Sequence, residues 1–121
     1  MKARPMSRSS TTTEAGDNGA RRRGKLPPIH PGEFLREDFL VPLGMSAAEL
    51  ARACGLEPAA IEAIVAERAP VTAEVALRLA RYWGTSVELW TGWQMQFDIE
   101  SAQDRLEAEI AKITPRPQAA E

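Results

Sequence analysis

The chain has 121 residues, enough for one modest domain and too few for two. A single cysteine excludes an intramolecular disulfide framework, and no apolar run approaches the roughly 20 residues of a membrane span, so the expected address is cytoplasmic with no membrane partner. The formal charge of −2 conceals a division: residues 1–25 carry seven basic and two acidic side chains, and the remainder carries eight basic and fifteen acidic, a basic arm on an acidic body.

Residues 1–27 read as a disordered basic arm. The stretch SRSSTTTEAGDNGARRRGK has no apolar period and cannot bury enough surface to offset the entropy of ordering it. Its Arg and Ser content imitates an organelle transit peptide, but it lacks both an amphipathic stripe and the hydrophobic centre of a signal peptide. Arg21, Arg22, Arg23 and Lys25 are either solvated charges or a phosphate-contacting arm.

Structure is expected to begin with LPPIHPGEFLREDFLVPLG. Pro31 suits a first helical turn and Glu33 complements its positive end. Phe34, Leu35, Phe39 and Leu43 are expected on one apolar side, with Pro42 and Gly44 ending the helix. His30, the single histidine, is placed to bond backbone amides at the helix start, and no further ligands are spaced around it for zinc. Glu33 and Glu37 lie one turn apart, an exposed acidic face without a base or nucleophile to make it catalytic.

Residues 46–68 are the centre of the chain. Ser46 and Glu49 have the spacing of a capping box, and Ala47, Leu50, Ala51 and Cys54 share one helical face. Cys54 is thereby a core thiol. Gly55 closes this second helix and Pro58 opens a third, whose buried stripe is Ile61, Ile64 and Val65. Two short helices joined by so tight a turn cross steeply, as a helix-turn-helix does.

Beyond the ERAPVT loop, Thr72 is positioned to cap a fourth helix with Ala76, Leu79, Ala80 and Trp83 inward and Arg78 and Arg81 toward solvent. Gly84 ends it. Thr85 or Ser86 caps a fifth helix bearing Leu89, Trp90, Trp93 and Phe97, which can run on through Leu106 to Ile110 and Ile113, with Gly92 a weak point and prolines 115 and 117 beyond its end. Trp83 and Trp90 read as core.

From Pro28 to Pro115 the chain resembles the HigA/VapI branch of the Cro/C1-type, lambda-repressor-like helix-turn-helix proteins. The resemblance rests on three blocks in order: His30-Pro31-Gly32-Glu33 with Pro42-Leu43-Gly44; the motif from Ser46; and Thr72-Ala73-Glu74 with the run from Ala76 to Ser86 and then Leu89-Trp90. It implies an all-α, five-helix bundle over residues 28–115, carrying a C-terminal dimerisation helix and followed by a flexible tail at 116–121. It also implies a non-enzymatic homodimer without cofactor that represses its own operon at a palindromic operator DNA. In this branch such a protein is the antitoxin that neutralises a basic, ribosome-dependent mRNA endonuclease toxin from the adjacent gene. A solitary regulator, or a degenerate helix-turn-helix acting through protein contacts alone, are the alternatives.

The third helix departs from that pattern. Where Ser, Gln, Arg, Asn or Lys would face DNA, this chain has Glu57, Pro58, Ala59, Ala60, Glu62, Ala63 and Ala66. Alanine cannot bond a purine edge, and carboxylates repel phosphate. The candidate DNA contacts are therefore Ala59 or Ala63 against a thymine methyl, Arg52, Arg68 and Thr72 at phosphates, and the arm residues Arg21, Arg22, Arg23 and Lys25 in an adjacent minor groove. Leu89, Trp93 and Phe97 are the candidate dimer interface, because aromatic side chains are enriched at such surfaces.

Overall fold

A computed structural model describes residues 26–117; the arm residues Arg21, Arg22, Arg23 and Lys25 lie outside it. Among the described residues five helices run in order. Helix α1 passes through Pro31–Phe34, Leu35–Leu40 and Val41–Leu43; α2 is Ala47–Cys54, α3 Pro58–Val65, α4 Ala73–Trp83 and α5 Val87–Ala111. The described residues contain no strand, and none of their helices is long and apolar enough to cross a membrane.

The start of α1 is built as expected. His30 is buried and its Nδ1 accepts the Gly32 amide at 2.8 Å, while its ring edge meets Phe97 with centroids 4.9 Å apart. Burial lowers its pKa below the ordinary histidine value, which favours the neutral ring that an accepting Nδ1 requires.

The middle of α1 was not anticipated. Leu35–Leu40 forms a wider π turn, and the Val41 amide bonds to the Arg36 carbonyl five residues back. Pro42 has no amide proton and its ring crowds the carbonyl four residues earlier, so a wider turn just before it relieves the conflict. The extra residue in that turn rotates the remainder of α1 about its axis. Leu35 and Leu40 enter the core, and Leu43, expected on the apolar side, is 63% exposed.

The central motif forms as its signals indicate. Ser46 Oγ accepts the Glu49 amide at 3.0 Å, and the Glu49 carboxylate accepts the Ser46 amide at 2.9 Å. Leu50, Ala51 and Cys54 of α2 pack with Ile61 and Ile64 of α3, while Val65 is half-buried. Burial raises the Cys54 thiol pKa and nearby Arg78 opposes the shift, consistent with an inert core thiol.

Helices α4 and α5 close the bundle. Thr72 Oγ1 accepts the Val75 amide at 3.3 Å, and Val75, Ala76, Leu79 and Ala80 are buried. Ser86 caps α5 at the Leu89 amide, 3.1 Å away, leaving the Thr85 hydroxyl to accept Trp90 Nε1 at 2.8 Å. Trp90 is fully buried beside Phe39 and Trp93, and Phe34 stacks on Trp93 at 4.3 Å. Gln94 is the unexpected core residue. It accepts the Val71 amide at 2.8 Å and donates to Asp98 at 2.9 Å, tying the loop before α4 to α5. Gly92 does not break α5, which ends at Ala111 and leaves Ile113 outside it.

Candidate nucleic-acid interface

Helix α3 has eight residues and spans about 12 Å, too short to persist alone in water. Its placement depends on what grips its ends. The Gly55 turn sets the start: Gly55 takes φ 73°, and the amides of Gly55 and Leu56 bond back to the carbonyls of Arg52 and Ala51. Arg78 then donates through Nη1 to the Cys54 carbonyl at 2.8 Å and the Gly55 carbonyl at 3.4 Å, while Glu74 holds its guanidinium. An arginine expected to reach toward solvent is thus a half-buried cap on α2.

The far end of α3 is held in the same manner. The amides of Glu67 and Arg68 bond to the carbonyls of Ile64 and Ala63 at 2.9 and 2.8 Å, the pattern usually closed by glycine. Here Glu67 takes the left-handed conformation, φ 63°, which disfavours a side chain. Arg36 of α1 donates to the Val65 carbonyl and pairs with Glu67 at 3.4 Å and with Glu37 at 3.0 Å. The Glu37 hydrogen bond is the main reason the Arg36 pKa is raised. Gly32 completes the grip, since a Cβ on it would fall 1.8 Å from the Ile64 carbonyl oxygen.

Anchored on Ile61 and Ile64, α3 turns the opposite side outward. Ala59, Glu62 and Ala66 are exposed and Ala63 is half-buried. Arg68 and Thr72 are exposed along the turn after it, and the Thr72 hydroxyl is already engaged as the α4 cap. Arg52 is exposed and lines an open groove with Leu43, Gly44, Met45, Glu49, Ala53 and Tyr82. Leu89, Trp93 and Phe97 are half-buried: Trp93 stacks on Phe34, Phe97 meets His30, and Leu89 packs on the core. Among the described residues no group of three or more His, Cys, Asp or Glu could hold a metal ion.

A helix-turn-helix family model (HTH_3) matches residues 35–90, the stretch from α1 to the start of α5. Virulence-associated protein I of Dichelobacter nodosus is 43% identical over 81 residues, covering 67% of this chain and 75% of that protein. The structure of Pseudomonas aeruginosa antitoxin HigA with the higBA promoter superimposes with a TM-score of 0.72 at 36% identity, over 74% of this chain and 99% of that one. The chain belongs to the HigA/VapI-type helix-turn-helix family. Antitoxin GraA in complex with its operator gives the same TM-score, 0.72, at 41% identity, over 78% of this chain and 95% of GraA. As a member of this family the chain is an antitoxin-like helix-turn-helix regulator and not an enzyme.

The residues that sequence reading missed are those that aim α3. Gly32, a glycine inside a first helical turn, carries a signal of close backbone approach. Arg36 carries none, because its carbonyl partner lies 29 residues away.

The capping contacts lead to a paired test by urea unfolding. Arg36→Ala is expected to cost about 1–2 kcal/mol, a charged hydrogen bond discounted for a side chain 35% exposed. Adding Glu67→Gly to that variant is expected to return about 1 kcal/mol by relieving the left-handed conformation. A neutral Arg36→Ala, or a further loss on adding Glu67→Gly, would contradict these roles.

Proposed function

We propose that this chain is an antitoxin-type autorepressor that binds a palindromic operator as a homodimer and neutralises a basic mRNA endonuclease toxin from the adjacent gene. The observation carrying this reading is the likeness, over about three quarters of the chain, to HigA with the higBA promoter and to GraA with its operator, together with an α3 face on which Ala59, Glu62 and Ala66 are exposed among the described residues.

The dimer surface is the side of α5 that the core does not use. At about 100° per residue, Met95, Ile99, Leu106 and Ile110 share one side, roughly opposite Trp90 and Trp93. Met95, Ile99 and Ile110 are 57%, 43% and 55% exposed. Leu89, Trp93 and Phe97, the candidate interface read from the sequence, are instead half-buried within the protomer against the core, Phe34 and His30. Two copies joined there give the two-fold symmetry that a palindromic operator mirrors.

Charge divides the two tasks. Residues 26–121 carry eight basic and fifteen acidic side chains, a field that attracts a basic toxin and opposes phosphate. DNA affinity then rests on Arg21, Arg22, Arg23 and Lys25, supported by Arg68 and the α4 cap at Thr72. Five residues separate Lys25 from Pro31, on the order of 15 Å when extended, which reaches an adjacent groove.

Sedimentation equilibrium at micromolar concentration should give a dimer for the wild type and a monomer for Met95→Glu/Ile99→Glu, with unchanged helical circular dichroism. A monomeric wild type removes this interface. A full-length variant with Arg21, Arg22, Arg23 and Lys25 changed to Ala should bind operator at least about tenfold more weakly at physiological salt, with a salt slope flatter by about 2 or more. That loss should exceed the loss from Arg52→Ala. Equal affinity and slope for variant and wild type would reject the arm. The same arm variant, co-expressed with the adjacent endonuclease, should rescue growth as fully as wild type; loss of rescue by soluble, folded protein would move the toxin surface onto the arm.

A further inference from the structure

We propose that α3 reads its operator through thymine methyl groups, using Ala59, Ala63 and Ala66 as a methyl stripe in place of hydrogen-bonding side chains. This rests on the DNA-binding reading above and adds the chemistry of recognition to it. The three alanines are spaced by four and three residues, which puts their Cβ atoms within about 60° of one another around the helix. Ile61 and Ile64, 0% and 2% exposed, face the other way. The stripe offers neither donor nor acceptor, so neither bidentate purine contact that side chains make in the major groove is available to it. One base-specific feature of that groove is apolar, the C5 methyl of thymine.

Two features of the fold suit α3 to this kind of reading. A methyl contact is short-ranged and has no flexible side chain to adapt it, so the helix must be held in place. The caps from Arg36 and Arg78 and the Gly32 approach to Ile64 hold it at both ends. Alanine also has no rotamers to lose, so apolar contact carries no side-chain ordering cost. Glu62, exposed beside the stripe, only accepts hydrogen bonds and so adds no donor for the acceptor atoms of guanine, adenine or thymine. The face therefore distinguishes thymine through its methyl alone.

The first test leaves the protein unaltered. A duplex is selected by the full-length chain from a random pool, and each thymine is replaced by deoxyuridine in both half-sites, which removes the methyl and nothing else. Fluorescence anisotropy should show about a fourfold loss of affinity per methyl, or about 15-fold for a symmetric pair, at one to three positions per half-site. At those positions a C·G pair should also bind weakly, and 5-methylcytosine paired with G should regain affinity, because alanine senses the methyl and not the neighbouring oxygen or amine. Ala63→Gly should abolish the deoxyuridine effect at one position, with circular dichroism confirming the helix. A selected duplex that binds equally well with deoxyuridine throughout overturns the methyl reading and leaves DNA binding intact. Failure to select or bind any duplex overturns both.

Discussion

The first turn of α1 lies against the last turn of α3 so closely that residue 32 has no room for a side chain. The contact joins the positive end of one helix dipole to the negative end of another, a favourable arrangement that also leaves the last carbonyls of α3 in need of donors. Arg36, one turn further along α1, supplies one at Val65 and reaches Glu67 with the same guanidinium. His30 holds the preceding segment by accepting the Gly32 amide while its ring rests on Phe97 of α5. The orientation of the outward α3 face thus depends on a glycine, an arginine and a histidine outside the helix-turn-helix itself.

The two helices of the motif end alike. Each is closed by a left-handed residue, Gly55 for α2 and Glu67 for α3, and each receives an arginine from outside the pair. Arg78 comes from α4 and Arg36 from α1, so the motif is held between its chain neighbours on both sides. Short helices draw most of their stability from such tertiary contacts and little from intrinsic propensity. The buried Gln94 extends the same logic to the loop after α3: Val71 would otherwise leave a buried amide unpaired in a segment without secondary structure.

Local signals made the helices legible. Ser46 with Glu49, Gly55, Pro58 and Thr72 act within a few residues of themselves, and the periods of Leu50, Ala51 and Cys54 and of Ile61 and Ile64 identify inward faces before any partner is known. The features that escaped are effects of distance and phase. Pro42 widens the turn before it, which advances the apolar face from Leu43 to Leu40. Arg36 meets Val65 across 29 residues and Gln94 meets Val71 across 23, separations that no spacing rule covers. The aromatic run of α5 pointed to a partner surface because its sequence does not reveal that Phe34, Phe39 and His30 of the first segment would be there to receive it.

Arginine in a helix-turn-helix is usually read as a phosphate contact, and here the described arginines divide differently. Arg36 and Arg78 spend their donors on the protein's own carbonyls and carboxylates, so they fix geometry and contribute little free charge to a ligand. The outward α3 face adds Glu62 and no cation. Attraction to phosphate and discrimination among bases are physically separable, since the first depends on the count of available charges and the second on the pattern of groups at base edges. On the proposed reading the two fall to different parts of the chain: the outward α3 face carries the alanines and no cation, while the density of positive charge lies in the sequence ahead of α1, and a phosphate contact does not depend on which base it adjoins.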